Sequence, residues 1–410
     1  MKLKLNKIYL AAVALLTMGF VSSCSDDDMG PSIFDTVEHP LDRTSATFPL
    51  DTFLVKNFRE PYNLKFIYKM EDIGSDQTYN LVPAAYSKSE QLAVLAKYLW
   101  YDVYAKVGSV EFLKENSPRI IHVIGSPAYN PTSGTETLGV AEGGLKITLY
   151  NVNNLNIQNI DQMNEKFFKT MHHEFGHILQ QTVATPTAFN LISQGSYNAL
   201  DWQNTPDSLA AAQGFVSPYA SSQAREDWVE VLANYIVKDS ITWNGLLNTA
   251  SYDWEKVEVD AKTFDQEVAK GAARDTIGYY LSDGTKSENT VLKYNVVRKV
   301  VARDANGNVS LKDKKIQYLD QDGINGRTQI TRKLEMVRTW LKENFGIDLD
   351  KLREEVQKRQ WATNADGSFK FDNNGKFINH LTEPLSSDPS KTFMDTLLEE
   401  VEQYKALQKK

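Results

Sequence analysis

The five residues from His173 to His177 read His-Glu-Phe-Gly-His, and they restrict this chain more than any other feature. Imidazoles four positions apart share a face only on an α-helix. There both can reach one zinc ion, while the carboxylate between them, Glu174, can activate a water. With six His in 410 residues and Glu at about one position in sixteen, chance supplies about 0.005 such matches per chain. The flanking sequence predicts the helix over residues 161–181. Met163, Phe167, Phe168, Met171, Phe175, Ile178 and Leu179 recur at helical spacing and form one apolar stripe. At about 100° per residue, His173 and His177 fall roughly opposite Met171, with Glu174 beside them. His172 falls well away from the pair and is not a ligand candidate. Gly176 weakens the helix by about 1 kcal/mol against Ala, which predicts a close neighbour on its face. His39, His122 and His380 stand alone and read as structural histidines.

A third ligand must come from nitrogen or oxygen, because Cys24 is the only cysteine and cannot build a sulfur site or an intramolecular disulfide. Gln180 and Val183 stand where a metzincin-type extension needs Gly and His, which excludes that arrangement. A carboxylate from a following helix is the other solution. Residues 224–238 predict one, with Val229, Leu232, Ala233 and Ile236 as its apolar stripe. Glu226 and Glu230 flank that stripe, about 60° and 100° from its centre. Carboxylates so close to a buried face need a cation or hydrogen-bond donors. By spacing alone, either could reach the metal.

At the start of the chain, Lys2, Lys4 and Lys7 precede an apolar run over 8–21, too short to span a membrane and suited to a signal peptide. The run closes on Val21-Ser22-Ser23-Cys24, which resembles a bacterial lipobox with Cys24 as the lipidated first mature residue. Ser25-Asp26-Asp27-Asp28 resembles the acidic export signal of surface lipoproteins in the Bacteroidota. Residues 24–50 read as a tether. The balance of 45 basic against 53 acidic side chains argues against nucleic acid as a partner, since phosphate binding needs a basic stripe.

Along the body, residues 89–106 predict a helix with Ser87 or Ser89 as its cap, and 119–126 and 145–152 predict strands. The Gly-, Ser- and Pro-rich stretch 126–144 between those strands reads as a loop. Beyond 239, an Asn-Gly turn in 300–312 predicts a hairpin, 327–345 and 350–360 predict helices split by Gly346, and 389–407 predicts a last helix. Asp320-Gln321-Asp322-Gly323 lacks the other ligands of a calcium loop and reads as a turn.

Three stretches together, 171–181 (MHHEFGHILQQ), 214–220 (GFVSPYA) and 226–230 (EDWVE), resemble the zinc metallopeptidase lipoproteins of the Bacteroidota. These are also described as substrate-import-associated zinc metallohydrolase lipoproteins. The resemblance implies an α+β fold with a zincin-like metalloprotease core over 51–245 and a mainly helical C-terminal lobe over 246–410 packed on it. It implies one zinc ion, a gluzincin-like ligand set of His173, His177 and Glu226, Glu230 as an outer support, and Tyr219 as a further site residue. The activity implied is peptide-bond hydrolysis with Glu174 as base, on a peptide or protein substrate. The place implied is the outer membrane, facing the cell surface or the periplasm, beside a nutrient-import complex. A non-catalytic binding lipoprotein with a structural zinc is the alternative, but it needs neither Glu174 nor a vacant ligand position. Strand 145–152, preceding the motif helix, is expected to be the sheet edge that pairs with extended substrate.

Overall fold

The computed structural model describes residues 41–70, 81–129, 136–142, 145–270, 273–277, 293–318 and 324–408. The expected signal peptide, Cys24, the acidic run at 25–28, His39 and the expected turn at 320–323 lie outside the described residues. Residues 46–410 form one unit, and everything below concerns it.

A four-stranded mixed sheet lies behind the motif helix. Its order is β1 (Lys65–Ile67), β2 (Ile120–Val123), β4 (Lys146–Leu149) and β3 (Gly139–Glu142). The first three are parallel, with Lys65 opposite Ile120 and Ile120 opposite Lys146, and β3 runs antiparallel to β4. The expected strand 145–152 is therefore internal. The edge on that side is β3, which lies in the stretch read as a loop. Leu138 and Gly139, before two further glycines, offer no alternating pattern to announce a strand. Gly139 is there for space: a Cβ on it would sit 2.3 Å from Thr170 Cγ2 on the motif helix.

Three helices carry a π-helical turn in mid-course. The first is α1 (Phe48–Leu54), running through Val55–Arg59 to Tyr62. The second, α2, spans 86–107 around Lys97–Tyr101. It starts on Ala85 without a side-chain cap, and Ser89 instead donates to the Ala85 carbonyl at 3.0 Å. After α3 (Val110–Asn116) and the sheet comes α4, spanning 160–182 around Asn164–Phe168. The apolar stripe of α4 buries Phe175 against Trp100, Tyr104 and Phe112, with ring centroids 5.0, 5.1 and 5.8 Å away.

The opposite face of α4 meets α6 (Ala224–Val237), which follows a short helix α5 (Asp207–Ala212). The close neighbour expected at Gly176 is Val229: a Cβ on Gly176 would lie 2.8 Å from Val229 Cγ1 and 3.1 Å from Leu232 Cδ2. The next helix is α7 (Ser240–Thr249), capped by Asp239.

The C-terminal part is not wholly helical. It includes an antiparallel sheet ordered β5 (Trp254–Val259), β7 (Lys293–Lys299), β6 (Ala273–Ile277), with α8 (Ala261–Ala269) inserted. The predicted hairpin turn is present at Asn306-Gly307, closed by a bridge between Arg303 and Val309. Helix α9 (Gly326–Phe345) stops on Gly346 at φ 70°, and α10 (Leu349–Gln360) follows. The last long helix, α11 (Phe393–Glu402), begins later than expected, at a capping box of Thr392 and Asp395. One apolar cluster runs from Leu50 to Val401 and includes residues of both sequence halves. Among the described residues no helix is long and apolar enough to cross a membrane.

Candidate metal centre

Helix α4 presents His173 and His177 on the face turned to α6, and α6 presents Glu226 and Glu230 in return. One carboxylate oxygen, Glu226 Oε2, lies 3.1 Å from His173 Nε2 and 3.0 Å from His177 Nε2. The three candidate ligand atoms all fall within 4.8 Å of one another. The outer nitrogens are engaged separately. His173 Nδ1 is 2.9 Å from Glu230 Oε1, and His177 Nδ1 is 2.9 Å from Gln180 Oε1. With Nδ1 donating in each ring, both Nε2 atoms are left for a metal, which is how outer partners orient ligating imidazoles.

Electrostatics point the same way. Burial opposes charge on His173, but its hydrogen bonds with Glu226 and Glu230 outweigh burial and raise its pKa to about 10. Burial also opposes the Glu226 and Glu230 anions. The two histidines hold Glu226 well below the usual carboxylate range, and Lys169, His173 and Ser217 do so for Glu230. Two buried carboxylates around two imidazoles form a pocket that favours positive charge and is suited to a divalent ion. A two-nitrogen, one-oxygen donor set is within zinc chemistry.

Glu230 is only 2% exposed and fully supported. Its Oε2 accepts from Ser217 Oγ at 2.5 Å and from Asn234 Nδ2 at 3.1 Å. Ser217 Oγ also accepts from the Ala220 N–H at 3.1 Å, which holds the turn bearing Tyr219. The Tyr219 ring lies 5.9 Å from the His173 ring and is edge-on to Trp202 at 4.9 Å. Burial, with Glu226 beside it as hydrogen-bond partner, lifts the Tyr219 phenol well above its ordinary value, so it stays a donor. Glu174 is buried next to His173 and lines the same cleft.

The other histidines stand apart. His172 is fully buried with Nδ1 3.0 Å from the Tyr104 hydroxyl, and burial pushes its pKa down to about 3. His122 is buried in β2, and His380 packs on Phe393 at 4.4 Å. Sequence reading did not single out Gln180, Ser217 or Asn234 as supports. Gln180 and Asn234 sit three and four residues beyond the side chains they hold, a detectable helical spacing. Ser217 has no local signal.

The centre opens into a cleft of about 1250 Å³. Its walls include Leu138 and Gly139 at the start of β3, Trp202, and Tyr219. The arrangement joins a metal-suited ligand set to a carboxylate and a phenol in a space large enough for a peptide.

The model of a family described as "Putative zinc-binding metallo-peptidase" matches residues 43–350. Among solved structures, one described as a "putative zinc-binding metallo-peptidase" from Bacteroides caccae is similar at 32% identity. The match covers 76% of this chain and 91% of that one, with a TM-score of 0.52. No curated protein matches.

Proposed function

The chain belongs to that zinc-binding metallo-peptidase family, and from this premise we propose that it hydrolyses peptide bonds at a single zinc held by His173, His177 and Glu226. One observation carries the reading: three ligand atoms lie within 4.8 Å of one another, and one of the ligands, His173, shares a cleft with Glu174. A zinc ion in that set supplies Lewis acidity and makes water acidic enough to attack near neutral pH. Glu174 takes the proton of the attacking water and returns it to the leaving amine. Tyr219 donates to the oxygen on which negative charge develops. Glu230 and Gln180 hold the imidazoles in the tautomer and orientation that ligation needs. Because β3 is a sheet edge and its start lines the cleft, extended substrate pairs there rather than on the internal strand β4.

This amounts to a zincin-like core of the gluzincin kind. The test separates binding from chemistry. Glu174→Gln keeps zinc at close to wild-type stoichiometry but loses peptide hydrolysis, read by metal analysis and turnover of a peptide library. Loss of metal in that variant, or retained turnover, contradicts the assignment.

The proposed setting is outside the cytoplasm, anchored by lipid on Cys24 to the outer membrane and working beside a nutrient-import complex. The lipobox-like Val21–Cys24 segment and the acids at 26–28 support it. Wild-type protein should fractionate with membranes and be digested by external protease on intact cells, and Cys24→Ser should be released. Wild-type protein found soluble in the cytoplasm overturns the placement.

A further inference from the structure

The cleft does not end at the metal centre. Asn234 and Lys238 follow Glu230 at intervals of four along α6, and all three line it. On α4, Lys169 and Glu165 precede His173 at the same interval and line it too. The helices run antiparallel there, since Asn164 Nδ2 near the start of α4 donates to the Val237 carbonyl at the end of α6, at 3.1 Å. The two rows therefore leave the centre in the same direction. The eight steps from Glu230 to Lys238, the residue that caps the end of α6, make an arm of about 12 Å. At about 3.3 Å per residue of extended chain, that is room for three to four residues.

The wall over this arm comes from the later part of the sequence. Trp254 and Lys256 lie on one face of β5, and Val297 lies directly opposite Lys256 on β7; all three line the cleft. The indole is fixed by its N–H donating to the Thr249 carbonyl at 3.0 Å. The cleft also takes in Tyr219 and Trp202, whose rings are 4.9 Å apart.

We infer that the 12 Å arm ending at Lys238 holds the substrate chain for three to four residues beyond the cleaved bond. The substrate is then an extended polypeptide rather than a dipeptide. This rests on the peptidase reading above and specifies its substrate class. The charged side chains along the arm are Glu165, Lys169, Lys238 and Lys256, with Asp207 at the rim.

The experiment uses the full zinc-loaded protein and internally quenched peptides lengthened one residue at a time on either side of the bond. The kcat/KM is expected to climb on one side until the third or fourth added residue. Trp254→Ala should cut the ratio of long- to short-peptide kcat/KM by about tenfold, the scale of one lost apolar contact. A kcat/KM flat beyond the first residue overturns the inference. If no peptide is cut, the peptidase reading fails by itself and peptide binding to the zinc-loaded protein decides the arm. Affinity that rises with length and falls in Trp254→Ala upholds it, and affinity independent of length overturns it.

Discussion

Glu226 and Glu230 stand one turn apart on α6, and spacing alone could not say which of them reaches the metal. In the structure their surroundings differ. Glu226 Oε2 sits between two Nε2 atoms, whereas both oxygens of Glu230 are taken by His173 Nδ1, Ser217 and Asn234. Glu226→Ala should therefore lose zinc completely during dialysis against a mild chelator. Glu230→Ala leaves the ligands in place and should weaken retention by about 10–100-fold, the usual loss for an outer support. Acid should speed loss from both variants and wild type, because the pKa of about 10 on metal-free His173 means protons compete with zinc as pH falls. Full retention in Glu226→Ala contradicts its assignment as ligand. At this scale the sequence showed the ligand types and spacing, since helical periodicity is local. Ser217 stayed invisible because it reaches Glu230 through a turn that no periodicity describes.

Between elements, the contact that sets the ligand geometry is the crossing of α4 on α6 at Gly176. A Cβ there meets Val229 at 2.8 Å, and two helix bodies cannot both yield. Gly176→Ala gains helix propensity but forces the helices apart, an overpacking cost of about 1–3 kcal/mol. It should bring a lower denaturation midpoint and weaker zinc retention together, because the histidines move away from Glu226. Adding Val229→Ala should restore both; a stabilised Gly176→Ala variant with normal zinc would show that the crossing is not tight. The cost of this glycine in propensity was readable as a hint, and its partner was not. The edge position was lost for a related reason. Strand order is a set of long-range pairings, and β3 is four residues beside a glycine pair with no amphipathic repeat. The π-helical turn at Asn164–Phe168 likewise has no signature in composition, although it places Asn164 where it bonds both Val237 and Gln360.

On the scale of the whole molecule, the later part of the chain holds the helix that carries Glu226 in place. Asp227, between the two glutamates of α6, is fully buried and pairs with Lys333 of α9 at 2.6 Å, also fully buried. Lys333 Nζ further donates to the Gly214 carbonyl at 2.7 Å and lies 4.2 Å from the centre of the Phe215 ring, while the Tyr197 hydroxyl donates to Asp227 at 3.0 Å. One ammonium thus ties α9 both to α6 and to the segment leading to Tyr219. Burial lifts the Asp227 pKa to about 6 even with Lys333 beside it. Removing one member of such a pair strands the other charge, at about 3–5 kcal/mol, whereas removing both is often close to neutral. Lys333→Met should accordingly lose about that much stability in urea unfolding at neutral pH. Without Lys333, the folded-state pKa of Asp227 rises further above its unfolded value of about 3.9, so the penalty applies only while the carboxyl is ionised. The deficit should shrink as pH falls from neutral toward that unfolded value. Asp227→Asn in the Lys333→Met background keeps an acceptor for Tyr197 and should recover most of the stability and flatten the pH dependence. A double variant no more stable than the single one, with a deficit constant in pH, would mean that Lys333 acts by packing and its hydrogen bond to Gly214 rather than by charge.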